Sequence, residues 1–252
     1  MLPVRTASLL AALTMVAAGP TTEPPGDPAQ PVFVDGFDGE NRLVTNEYAH
    51  DHPRADDALT SPAWDVSSGS LFIRNGAAWT GSLDRESPGP QSAVATGSAA
   101  FRAFARVEAP SDMMLTLRLS ATSFSDVEPT NPWDGAHILV RADGEIEFYS
   151  ISVLRRDGRI VVKRKIPGGP PNGDTYVTLA MTDYSRLDAG WHDVRIATAD
   201  RDGTVVIEVY VDDVHVVTAV DSGQYGPPIT EPGAVAIRAD NLEFSFDDVA
   251  ID

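Results

Sequence analysis

The sequence predicts an all-β protein whose antiparallel strands close into a sandwich or barrel, and three observations lead there. From Val32 onward apolar residues recur with period two, the spacing that sends alternate side chains to opposite faces of a strand. Tight-turn signals separate these runs, and no stretch beyond the N-terminal segment carries an apolar stripe at helical spacing. A chain of 252 residues that is 42% hydrophobic can bury one sizeable core, and many antiparallel strands must pack face to face to hide their apolar sides.

The N-terminal "MLPVRTASLLAALTMVAAGP" has one positive charge, Arg5, an apolar stretch from about Ala7 to Ala18, and small residues at a cleavage point. Too short to span a bilayer, it reads as a secretory signal over residues 1–18. Residues 19–31, "GPTTEPPGDPAQP" from Gly19, hold too much proline and too few apolar groups to pack, and read as a disordered arm. The domain is then residues 32–252. Its strand-length runs include "MLTLRLSA", "AHILVRA", "IEFYSISVL", "RIVVKRKI", "HDVRIATA", "TVVIEVYVDD", "VHVVTAV", "GAVAIRA" and "LEFSFDDVAI". Between them lie "ADGE", "RDGR", "DRDGT", "PGGPPNG" and "YGPPITEPG", whose Asp-Gly and Gly-Pro pairs favour hairpins and loops. No repeat of fixed period appears, which speaks against a propeller or solenoid.

The formal net charge is −18, and becomes −19 when removal of residues 1–18 takes away Arg5 and no acid. Such a surface repels nucleic-acid phosphates and suits a secreted, extracellular protein. With no cysteine there is no disulfide framework, thiolate metal site or cysteine nucleophile. No glycine-rich phosphate loop, Ser-His-Asp signature or "HExxH" is present. "NEYAHDHP" places His50, Asp51 and His52 together, but without a third ligand at zinc spacing.

Against this acidic background, three consecutive strands gather cations. Ile138 and Val140 mark the apolar face of one strand, leaving His137 and Arg141 opposite. In the third, Ile160 and Val162 are the apolar face, so Lys163 and Lys165 point the other way. In the middle strand Tyr149, Ile151 and Val153 form the core face, while Phe148, Ser150 and Ser152 join the cations. Sugar rings pack on exposed aromatic faces, and Trp133 in "TNPWDGAH" and Trp79 in "RNGAAWTG" stand in loop-like contexts; Trp64 and Trp191 lead into strands and read as core. The substrate-binding candidates are therefore Trp79, Trp133, His137, Arg141, Phe148, Ser150, Lys163 and Lys165.

The opening "PVFVDGFDGE", then "SPAWDVSSGSLFIRNGAAWTG", "GWHDVRIATADRDGTVVIEVYVDD" and the closing "LEFSFDDVAID" resemble, in order, the concanavalin A-like lectin and glucanase superfamily, with its laminin-G-like branch. The resemblance covers nearly all of residues 32–252 and implies a jelly-roll sandwich of two curved sheets whose concave face can hold a glycan. It also implies a structural calcium ion: Asp35 and Asp38 would meet Asp247 and Asp248, because the first and last strands of such folds lie side by side. The glucanase branch carries two glutamates flanking an aspartate on one strand. "DGEIEFYS" offers Glu145 and Glu147 alone, without the aspartate or a third acid, so glycoside hydrolysis is disfavoured.

Three functions remain. The first is a secreted lectin-like module binding a polysaccharide or cell-surface glycan, monomeric by default and without a membrane span. The second is a polysaccharide lyase cleaving an acidic, uronate-containing glycan by β-elimination, with His137 as base and Arg141 and Lys163 neutralising the uronate. The third is a structural or adhesion protein without a small ligand.

Overall fold

The computed structural model describes residues 30–82, 100–126, 130–168, 176–185 and 190–252, and residues 31–252 form one compact unit. The proposed signal and almost all of the proline-rich arm lie outside the described residues. Among the described residues no helix is long and apolar enough to cross a membrane.

Among the described residues sixteen strands build two packed antiparallel sheets, the jelly-roll sandwich expected. The first sheet contains β2 (Arg42–Asn46), β4 (Ser70–Arg74), β5 (Ala77–Trp79), β7 (Met113–Phe124), β12 (His192–Arg201), β13 (Thr204–Val211), β14 (Val214–Asp221) and β16 (Leu242–Ile251). Its order is β14-β13-β12-β7-β16-β5-β4-β2, and β1 (Phe33–Asp35) also pairs with β16. The second contains β3 (Trp64–Ser68), β6 (Ala100–Ala105), β8 (Gly135–Asp143), β9 (Glu147–Val153), β10 (Arg159–Lys165), β11 (Tyr176–Asp183) and β15 (Ala234–Asp240), in the order β11-β10-β9-β8-β15-β6-β3.

Alternation sets the core. Ile138, Val140, Tyr149, Ile151, Ile160 and Val162 of the second sheet are buried in one cluster with Leu115, Leu117, Ile196, Ile207, Phe244 and Phe246 of the first. Burial of this apolar surface is the main force holding the sheets together. Trp64 is core, as its position before a strand suggests, stacking on Phe37 and donating its Nε1–H to Asp35. Trp191 is not: it is 44% exposed, beneath the Arg118 guanidinium.

The turn signals act as expected. Asp202 and Gly203 both take positive φ between β12 and β13, the geometry of a two-residue hairpin that matches strand twist. Asp212 and Asp213 do the same before β14, so the run "TVVIEVYVDD" ends as a strand at Val211 and its two aspartates form the turn.

Among the described residues one short helix, α1 (Glu47–Asp51), interrupts the strands; Asn46 caps it by accepting from Ala49 N–H. It carries the histidine cluster, whose members turn to other partners. His50 lies 3.0 Å from Asp65, and His52 stacks on Tyr48.

Candidate functional site

Of the cations noticed in sequence, His137, Lys163 and Lys165 map to the outward face of the second sheet. Register decides which side chains meet there. Across β10, β9, β8, β15 and β6 one row reads Lys163, Ser150, Leu139, Ala236 and Phe104; the next reads Val161, Ser152, His137, Arg238 and Arg102. Nearly every residue of β8 and β9 is buried, on both faces, so the middle of this outward face is a sheltered floor. Phe148, Leu139, Ala142 and Ala236 pack into a small apolar cluster of their own there, with Tyr176 beside it.

On that floor lies a pocket of about 320 Å³, at the lower end of the range that holds small ligands. Leu139, Ser150 and Ser152 form its base; His137, Lys163, Arg238 and Asp240 line it, and Trp133 and Tyr176 complete it.

Trp133 is 51% exposed, on the loop before β8. The buried carboxylate of Asp134 accepts from Asn131 N–H at 3.0 Å and from Asn241 Nδ2 at 3.2 Å, and its carbonyl accepts from Arg156 N–H. Gly135 follows because the chain passes so close to β9's end that a Cβ would sit 2.8 Å from the Leu154 carbonyl oxygen. The turn that carries the ring is thus tied to its neighbours through Asp134 and Gly135.

His137 is nearly buried, with Nδ1 2.8 Å from Ser152 Oγ and Nε2 3.4 Å from Asp240 Oδ2. Burial pushes its pKa down, with Arg238 and Arg155 adding to the fall and Asp240 opposing it, so the ring is neutral near pH 7. The carboxylate favours the proton on Nε2, which leaves Nδ1 to accept from the Ser152 hydroxyl; this tautomer is assigned from the partners. Nδ1 is thus hydrogen-bonded to the wall, while Nε2 faces Asp240 at ion-pair distance without a hydrogen bond.

Asp240 accepts from Arg238 through Nε at 2.9 Å and Nη2 at 2.8 Å. Burial alone would raise its pKa, but His137 and the Arg238 guanidinium outweigh that and hold the carboxyl well below the usual carboxylate range. Lys163 sits half-buried with its ammonium 5.9 Å from the Tyr176 ring centroid, its pKa lowered by burial and by Arg155 against the opposing charge of Asp157. Lys165 lies over Phe148 and Tyr176 and donates to the Glu145 carbonyl, outside the pocket lining.

Besides Lys165, three candidates are not part of the pocket lining. Alternation predicts Arg141 on the outward face, but a bulge between Val140 and Asp143 gives Arg141 a positive φ and breaks the pattern. Its guanidinium is fully buried, donating to the carbonyls of Ser111 and Ile229 and to Asp200 on the opposite sheet. Phe148 is buried under Lys165 rather than open to a ligand. Trp79 belongs to β5 of the other sheet, where Arg74 covers its ring and its Nε1–H donates to Glu243.

The expected calcium site does not assemble. Asp35 accepts from Phe37 N–H and Trp64 Nε1–H, while Asp247 and Asp248 are both taken by Arg118 at 2.8 and 2.7 Å. Although β1 does lie beside β16, among the described residues no group of three or more acids or histidines could hold a metal, His50, Asp51 and His52 included. Nor do Glu145 and Glu147 form a carboxylate pair: the first answers Arg102 and the second lies 3.0 Å from Arg164.

A larger cleft of about 770 Å³ lies along residues 225–233, with Arg141 and Arg164 in its wall. Both guanidiniums are held by protein carboxylates and carbonyls. Tyr225, an exposed ring, lines this cleft too; the smaller pocket is the better candidate because Trp133, His137, Ser150 and Lys163 converge on it.

Sequence reasoning missed Tyr176, Arg238 and Asp240. The i, i+2 spacing in "RAD" marks Arg238 and Asp240 as one-face partners, but nothing local shows that β15 lies beside β8.

Solved structures share this architecture. A Bacillus subtilis protein of unknown function with a galectin-like fold matches at TM-score 0.53 and 10% identity, over 87% of this chain and 97% of that one. The catalytic domain of a Thermotoga petrophila RKU-1 endo-1,3-β-glucanase matches at 0.54 and 12%, over 88% and 96%. An endo-1,3-β-glucanase from Streptomyces sioyaensis matches at 0.53 and 13%, over 91% and 98%. No protein-family model matches the sequence, and no curated protein does. The fold is that of the concanavalin A-like jelly rolls, a class that includes both lectin-like and glucanase-like proteins, and no subfamily within it is defined.

Proposed function

We propose that this protein is a secreted carbohydrate-binding module that holds a glycan on the outward face of its seven-stranded sheet. The observation that carries the reading is the Trp133 ring, half exposed on a turn beside a pocket with Ser150, Lys163, Arg238 and Tyr176 in its lining. A pyranose packs its C–H face on such a ring, and its hydroxyls take hydrogen bonds from the polar floor. The carbohydrate-active neighbours support a glycan ligand for the fold.

Binding to a panel of oligosaccharides tests it. Trp133→Ala is expected to weaken the best ligand by about 1–2 kcal/mol, roughly five- to thirtyfold, while leaving the melting temperature unchanged. A panel without a ligand, or a ligand indifferent to Trp133→Ala, defeats the reading.

β-Elimination is the second reading, favoured by Lys163, Arg238 and the Tyr176 hydroxyl around one pocket. It no longer includes Arg141, and His137 would need to leave Ser152 or Asp240 to act as a base. Appearance of an unsaturated uronate product, seen by its ultraviolet absorbance, would establish it.

A further inference from the structure

Around the pocket almost every charge is answered within the protein. Arg238 is paired with Asp240, Arg155 with Asp157 through bonds of 2.9 and 2.6 Å, and Arg102 with Glu145. His137 is neutral. Lys163 is the exception: half-buried in the lining, it has no hydrogen-bonding or ion-pairing partner among the described residues, only the face of Tyr176. Withdrawing an ammonium from water without a counter-charge is unfavourable. A chain of net charge −18 has acids to spare, yet none pairs with this ammonium among the described residues; Asp157, whose charge acts on it, is itself bound by Arg155.

Resting on the glycan-binding reading above, we propose that the pocket selects an anionic sugar residue, whose carboxylate or sulfate ester is received by the Lys163 ammonium while its ring lies on Trp133. Ser150, opposite Lys163 in the register and also in the pocket base, supplies a hydroxyl to the same sugar. Arg238 and Asp240 form a closed pair beside them, which leaves Lys163 as the cation of the pocket lining without an ion-pair partner among the described residues, while Lys165, outside the lining, donates to the Glu145 carbonyl. The ammonium's lowered pKa fits a cation that awaits its partner.

The test is calorimetry of the full chain against three oligosaccharides on one backbone: carboxylated, carboxyl-reduced, and reduced then O-sulfated. An anionic form is expected to bind at least about tenfold tighter than the neutral one, the scale of a hydrogen bond to a charged group, and less so as salt rises. Lys163→Met should erase that preference while neutral binding persists, and Lys163→Arg should keep much of it; melting curves confirm that both variants fold. Whichever anionic arm binds tighter identifies the group. If Lys163→Met leaves the preference intact, or the neutral form binds as well as the others through Trp133, the charge inference is overturned and the glycan reading stands. If none of the three binds and no other glycan does, both fall.

Discussion

Arg141 on β8 reaches across the sandwich to Asp200 on β12, with 2.7 Å between Nη1 and the carboxylate. The same guanidinium holds the Ser111 and Ile229 carbonyls, so one side chain fastens two loops and both sheets. Gly233 is pressed against its backbone, where an added Cβ would lie 2.6 Å from the Arg141 carbonyl carbon. Arg141→Ala strands these acceptors and is expected to cost about 3–5 kcal/mol, read by urea unfolding, while ligand affinity at the Trp133 pocket holds. A loss of affinity without a loss of stability would return Arg141 to the binding face.

Tyr149 is a second internal fastener. Its hydroxyl donates to Asp221 at 2.7 Å and accepts from Ile229 N–H at 3.0 Å, while Arg164 donates to the same Asp221 oxygen. Burial, with Asp221 adding to it, pushes its pKa far above the ordinary tyrosine range, so the hydroxyl stays protonated. Tyr149→Phe is expected to lower stability by about 1–3 kcal/mol in chemical denaturation without altering glycan binding, because the ring faces the core.

Acid should weaken the fold in two separate windows. His137 resists protonation when folded, whereas the unfolded chain takes up that proton near pH 6.5. Above about pH 6.5 the group has no effect on stability; as pH drops below it, stability is lost down to the folded pKa. Asp240, with its pKa depressed, contributes stability that is complete above about pH 3.9 and lost as pH falls through its folded pKa. Unfolding free energies between about pH 5 and 7 should slope for the parent and flatten for His137→Gln, and a parent curve already flat there would contradict the assignment.

Chelation should leave the melting temperature where it is. Of the four carboxylates nominated for calcium, Asp247 and Asp248 are engaged by Arg118, and Asp35 by Trp64 Nε1–H and the Phe37 amide. A fall in melting temperature with chelator, restored by calcium, would show that these ion pairs yield to a metal.

Alternation alone places His137, Ser150, Ser152 and Lys163 on one face, and correctly sends Tyr149 inward, because a side-chain period of two is a local property of a strand. The same rule fails at Arg141, where a single bulge residue turns the side chain to the other side, and a bulge leaves no mark in a string of apolar and polar letters. The calcium expectation for Asp35, Asp38, Asp247 and Asp248 rested instead on the resemblance: β1 does lie beside β16, but Trp64 from β3 takes Asp35 and Arg118 from β7 takes Asp247 and Asp248.

What the sequence by itself determined was the class of fold and the composition of one strip on a sheet, since strand periodicity, turn residues and charge are all written within a few residues of each other. Only the tertiary structure decided that β15 and β11 bring Arg238, Asp240 and Tyr176 to that strip, and that Arg141 leaves it. Strand order joins residues such as His137 and Arg238 that are a hundred positions apart, and it is set by how two whole sheets bury their apolar faces rather than by any short stretch of chain.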